Sequence, residues 1–140
     1  MQRRTFLRQS CVACFGLAGA GLLLEGCGSA LPLVKLTPVG NTISVPAAVF
    51  AAQVMHVIVR SRTLENDILL VKENDTTYKA LYLRCTHEGV GLTATDKKIF
   101  CSAHGSIFDF NGNVVKEPAL RPLKQFKTST DNTGIIIYLS

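Results

Sequence analysis

From Leu31 to the C-terminus, apolar and polar residues alternate in short bursts, and no run is long or periodic enough for a true helix. Asn41–Val45 reads as a short strand stopped by Pro46. Val54–Arg60, Ile68–Lys72, Tyr78–Arg84, Lys98–Cys101, Ser106–Phe110, Lys124–Thr128 and Gly134–Leu139 read the same way. Turn-forming stretches separate them: Asn66-Asp67, Glu73-Asn74-Asp75, Asn111-Gly112-Asn113 and Asp131-Asn132-Thr133-Gly134. Short strands so punctuated predict a small, antiparallel all-β domain. Ala47–Gln53 offers a helical turn at most. Leu31–Gly40, with its two prolines, reads as extended linker passing into a first edge strand. Alternation puts His56 on the face of Val54, Ile58 and Arg60, opposite Met55, Val57 and Val59. No partner motif accompanies it, so His56 is a plain strand histidine.

The first thirty residues follow a different pattern. Met1–Ser10 carries three arginines and no acid, and Cys11–Leu24 is fourteen apolar and small residues. A charged start followed by such a run reads as an export signal. It falls short of the ~20 residues of a membrane-spanning helix. Arg3-Arg4 followed by Thr5-Phe6-Leu7-Arg8 resembles a twin-arginine signal, whose route carries folded proteins and suits a cofactor inserted before export. Leu23-Leu24-Glu25-Gly26-Cys27 resembles a lipobox, although Glu25 stands where a small uncharged residue is usual. That resemblance implies a lipid-modified Cys27 as the first mature residue. Acyl chains contribute ~0.8 kcal/mol per buried methylene, so several would hold the protein at a membrane surface. The chain therefore divides into an export signal over 1–26, a tether over 27–40 and a domain over 41–140. Cys11-x-x-Cys14 has redox-pair spacing but lies within the apolar signal, without the βαβ pattern such a pair needs.

At 140 residues one domain is expected, and 47% apolar content excludes wholesale disorder. The net charge of +5 shrinks on division: residues 1–26 hold Arg3, Arg4, Arg8 and Glu25, leaving 12 positive and 9 negative groups, or +3, in the remainder. That balance is interspersed and gives no nucleic-acid-binding patch. No Ser-His-Asp set, phosphate-binding glycine loop or paired acids point to hydrolysis or phosphoryl transfer. Lys97-Lys98 reads as a solvated turn, with docking of an acidic partner as the alternative, and Asp109 reads as a turn cap. Only Cys27, Cys85 and Cys101 follow the signal, an odd number that does not suit a disulfide framework.

The informative segment is Cys85-Thr86-His87-Glu88-Gly89, then eleven residues, then Cys101-Ser102-Ala103-His104-Gly105-Ser106. Each loop offers one thiolate and one imidazole. A structural zinc finger groups its ligands as Cys-x₂₋₄-Cys and His-x₃₋₅-His. The mixed pairs here suit two hairpin tips pinching a two-metal cluster, with both cysteines on one iron and both histidines on the other. A single zinc is the competing reading of the four residues.

Cys85-Thr86-His87, Cys101-Ser102-Ala103-His104-Gly105-Ser106, Phe108-Asp109, Pro118-Ala119 and Pro122-Leu123 together resemble a Rieske [2Fe–2S] domain, from about Val54 to the C-terminus. The resemblance implies that Cys85 and Cys101 ligate the inner iron and that His87 and His104 ligate the outer, surface iron. It implies that Gly89, Gly91 and Gly105 let backbone amides approach the cluster sulfurs. Glu117–Leu123 would be the proline-containing loop that covers the cluster. Neutral imidazoles stabilise ferric iron less than thiolates do, which places Rieske centres at roughly −150 to +300 mV against about −400 mV for plant-type clusters. Ser106 matches a serine that hydrogen-bonds a bridging sulfide in higher-potential members, and Phe108 falls where those members carry a tyrosine. One donor is present and one missing, so an intermediate potential is expected. Val90 and Ala103 occupy the positions of the loop disulfide in cytochrome bc-type members, so the two loops need other support.

Two functions follow from the resemblance. The first is an exported, membrane-tethered one-electron carrier in the periplasm or on the outer face of the cytoplasmic membrane, exchanging electrons with a cytochrome or another redox protein. The second is a subunit of a quinol-oxidising or arsenite-oxidase-like oxidoreductase complex.

Overall fold

The computed structural model describes residues 30–51 and 53–140. The export-signal segment and Cys27 lie outside the described residues. Eleven strands follow in chain order: β1 (Leu33–Lys35), β2 (Thr42–Pro46), β3 (His56–Arg60), β4 (Ile68–Lys72), β5 (Tyr78–Tyr82), β6 (Thr93–Ala94), β7 (Ile99–Phe100), β8 (Ile107–Phe108), β9 (Val114–Lys116), β10 (Gln125–Thr130) and β11 (Gly134–Tyr138). A single 3-10 turn, Ala47–Phe50, is the helical turn anticipated after Pro46. Among the described residues no helix is long and apolar enough to cross a membrane.

Seven strands form one sheet in the order β1-β3-β4-β5-β10-β11-β2, and four form a second in the order β6-β7-β8-β9. All pairings are antiparallel except one. β1 runs parallel to β3, its one neighbour, with Val34 opposite Val59, so the extended stretch after Pro32 enters as an edge strand with the same sense as β3. β6 and β9 were not anticipated. At two and three residues, with Val115 65% exposed, they carry too little alternation to stand out in a sequence.

The large sheet curls on itself. Ile43 and Val45 of β2 at one edge share a core with Val57 and Val59 of β3 near the other, together with Ile68, Leu70, Ala80, Phe126, Ile135 and Ile137. β4 is buried on both faces, which is why its sequence is a continuous apolar run. Its Ile68 and Leu70 point into this first core, while Leu69 and Val71 point into a second. That second core contains Leu81, Leu83, Ile99, Phe108, Ala119, Leu123 and both Cys85 and Cys101. The small sheet is thereby clamped to the outer face of β4 and β5.

His56 faces this second layer with Ile58, as alternation predicted, whereas Val54, which precedes β3, packs against the first core. Its ring stacks on Phe110 at 4.0 Å between centroids. Side-chain-capped turns hold the hairpins. Asn74 Oδ1 accepts from the N–H of Thr76 and Thr77 at 3.0 and 2.8 Å. Asp109 Oδ1 accepts from those of Asn111 and Asn113 at 2.8 Å each. Asp131 Oδ1 accepts from those of Thr133 and Gly134 at 2.7 and 2.9 Å.

Candidate metal centre

The two cysteine–histidine segments form loops of the same backbone design. In the first, after β5, the Cys85 N–H donates to Val90 O at 2.8 Å and the Gly89 N–H to Cys85 O at 2.8 Å. In the second, between β7 and β8, the Cys101 N–H donates to Ser106 O at 2.9 Å and the Gly105 N–H to Cys101 O at 3.0 Å. Each turn closes on a glycine with positive φ, +75° at Gly89 and +83° at Gly105. An L side chain is strained there, so the glycines are required by the turn itself. Gly91 differs: it has no positive φ, and a Cβ on it would stand 2.9 Å from Asn66 Oδ1, so its small size serves packing against the β3–β4 loop.

The matched turns sort the four side chains by depth. Cys85 and Cys101 begin their loops at 2% and 1% exposure, inside the second core. His87 and His104 lie at the exposed tips, with ring centroids 5.0 Å apart and the rings edge-to-face. Glu88 Oε2 stands 3.5 Å from His104 Nε2. The ligand atoms of His87, His104 and Glu88 all lie within 4.8 Å of one another, and neither cysteine sulfur belongs to that set. A single tetrahedral zinc draws all its donors to within 2.0–2.3 Å of one ion and so into one tight group. Paired outer nitrogens and separate, buried inner sulfurs suit a two-iron cluster with one iron held by nitrogen and the other by sulfur. The residues present fit such a cluster.

A third loop, Glu117–Leu123, ties the two together. Thr86 Oγ1 donates to Arg121 O at 2.6 Å, and Arg121 Nη2 lies 3.4 Å from Thr86 O. Ala119 N–H donates to Ser106 Oγ at 3.0 Å, with Ser106 fully buried. Phe108, also fully buried, packs in the same core as both cysteines. Val90 and Ala103 are exposed, and the two described cysteines are free thiols. The clasp through residues 119 and 121 thus supplies the support that a loop disulfide gives elsewhere. Sequence reasoning missed Arg121, Glu88 and this clasp. The only advance signal was a hydroxyl between the two donors of Cys85-Thr86-His87.

Lys97 and Lys98 are exposed around a turn capped by Thr95 Oγ1, which accepts from the N–H of each at 3.3 and 3.2 Å. Lys98 Nζ lies 5.5 Å from the centroid of the Phe100 ring.

Comparison with known proteins places these loops in a family. The chain is 32% identical over 73 residues to a cytochrome b6-f complex iron-sulfur subunit of Chlorobaculum thiosulfatiphilum, which covers 51% of this chain and 40% of that protein. It is 36% identical over 73 residues to the chloroplastic cytochrome b6-f complex iron-sulfur subunit of Bigelowiella natans, covering 49% of this chain and 29% of that one. The chain thus matches less than half the length of either relative. Among solved structures, the plasma membrane Rieske protein PetC3 of Synechocystis PCC 6803 shares the fold at a TM-score of 0.54 and 23% identity, over 67% of this chain and 96% of that one. A naphthalene 1,2-dioxygenase shares it at 0.56 and 19%, over 71% and 26%. The model of the Rieske [2Fe-2S] domain matches residues 46–127, which includes both cysteine–histidine loops and the clasp between them. By that match, across more than half its length, the chain belongs to the Rieske [2Fe–2S] family and is an iron–sulfur protein.

Proposed function

We propose that this protein is a one-electron carrier, exported and held at a membrane surface. The observation that carries the proposal is the depth sorting of the four donors: sulfurs in the core, imidazoles exposed side by side at the tip. In this reading Cys85 and Cys101 hold the inner iron and His87 and His104 the outer one. When bound, the cluster supplies a site that accepts and releases a single electron.

The chain's own residues do the rest. The apolar second core around the cysteines keeps water from the sulfurs. Gly89 and Gly105 would let backbone approach the cluster, Ser106 would offer it a hydroxyl proton, and Phe108 contributes packing without a donor. Glu88, against His104 Nε2, orients that ring from outside. Residues 1–26 act as the export signal and 27–40 as the tether, with Cys27 as lipid anchor. The domain proper occupies 41–140.

A second reading has an observation of its own: both curated relatives are named as subunits of cytochrome b6-f complexes. Under it the chain is a subunit of an oxidoreductase complex, and an exposed histidine meets quinol. A redox titration across pH, paired with gentle membrane extraction, separates the two. A carrier gives a pH-flat, intermediate potential and no stable complex. A high, pH-dependent potential with a co-purifying membrane partner overturns the carrier reading in favour of the subunit.

A further inference from the structure

Beside the first loop lies an open cleft of about 460 Å³. Tyr82, Arg84, His87, Glu88, Arg121 and Lys124 line it. Three of these are permanent cations and one is an acid. Arg60, Lys72 and Lys79 are neutralised by Asp67, Asp75 and Glu73 at 2.7, 2.9 and 2.5 Å. In the cleft, Arg84 is shared with Glu65 at 3.4 Å. Arg121 reaches only the neutral Thr86 carbonyl, and Lys124 Nζ lies 4.6 Å over the Phe126 ring. Among the described residues neither has an acidic partner. Glu88, the one acid, stands 3.5 Å from His104 Nε2. Three cations against one acid thus set surplus positive charge beside His87, an exposed histidine of the centre.

We propose that this cleft is the landing site of an acidic redox protein, whose surface carboxylates meet Arg121 and Lys124 and so seat its redox centre beside His87. The proposal rests on the electron-carrier reading above. A macromolecular partner is favoured over a small free anion because every lining cation is exposed. A free anion gains little from solvated charges, whereas a rim of like charge steers and orients a protein surface. The reaction is transfer of one electron from the reduced protein to the oxidised partner, with no bond made or broken.

The test uses the full-length, cluster-loaded protein, reduced with dithionite and freed of excess. Stopped flow then follows its oxidation by anionic ferricyanide and by cationic tris(phenanthroline)cobalt(III) across ionic strength. The ferricyanide rate is expected to fall as salt rises. Lys124→Glu and Arg121→Glu should each lower it about threefold or more at low salt and raise the cobalt rate. Lys127→Glu, the same charge change outside the cleft, should do much less, and the Lys124 and Lys127 variants should keep the wild-type reduced spectrum. Polyglutamate should inhibit, while inorganic phosphate at matched ionic strength should not. Rates blind to salt and to Lys124→Glu overturn the landing site, and saturable competition by phosphate overturns it in favour of a small-anion pocket. Failure of both oxidants to take an electron instead defeats the carrier reading, and the landing site with it.

Discussion

The backbone N–H of Ala119 donates to Oγ of Ser106 at 3.0 Å, and both residues are wholly shielded from solvent. The bond uses the serine as acceptor only. Its hydroxyl proton stays available for an anionic acceptor in the site, and its position is pinned by the loop that covers that site.

Ser106→Ala removes both roles at once. The potential should fall on the order of 50 mV, because one hydrogen bond of ~1 kcal/mol to the reduced state is lost and 59 mV corresponds to about 1.4 kcal/mol for one electron. Thermal stability should fall as well, since the buried Ala119 N–H is orphaned at about 1–3 kcal/mol. A redox titration and a melting curve read the two effects separately.

Phe108→Tyr places a hydroxyl in the same core as both cysteines. If a cysteine sulfur accepts from it, the potential rises by a comparable amount, on the order of 50 mV. An unmoved potential in both variants would refute the hydrogen-bond account of tuning.

The two glycines should respond to alanine unequally. At Gly105 a Cβ meets nothing within 4 Å, so only the left-handed backbone at +83° is strained, at ~1–2 kcal/mol. At Gly89 the strain at +75° is joined by Arg84 Nη2 at 3.0 Å. Denaturant unfolding should therefore show Gly89→Ala as the costlier change. Arg84→Ala should bring the two closer together.

His56 gives the domain a pH dependence away from the metal centre. Burial lowers its pKa below the ordinary imidazole value, with Asp96 raising it partway back. In the window between the ordinary value, about 6.5, and the lower folded value, the unfolded chain binds the proton and the folded one does not. Stability then rises with pH through that window and is lost as pH falls. His56→Gln should flatten the difference between melting curves taken above and below it.

Much of this architecture was legible in advance, and unevenly so. Val54–Arg60 and Ile68–Lys72 announce themselves because β3 alternates and β4 is apolar throughout. The Cys85/His87 and Cys101/His104 pairs are legible because donor chemistry at fixed spacing survives without any knowledge of packing. The Thr86–Arg121 and Ser106–Ala119 contacts were not, because each joins residues 13 or more apart through a backbone group, which no side-chain pattern records. Gly91 was assigned to cluster approach together with Gly89 and Gly105, and the close approach of Asn66 Oδ1, 2.9 Å from where a Cβ would stand, was not legible beforehand. The parallel sense of β1 was hidden for a similar reason, since strand direction depends on where the preceding chain enters. Cys27 and the signal lie outside the described residues.

The measurement that bears most directly on the central claim is electron paramagnetic resonance of the dithionite-reduced, natively purified protein, with nitrogen hyperfine couplings resolved and metals counted. Two irons per chain, a spin-half signal and two histidine nitrogen couplings are expected, with one coupling lost in His104→Cys. A colourless, zinc-loaded sample, or a cluster signal without nitrogen coupling, would contradict the account.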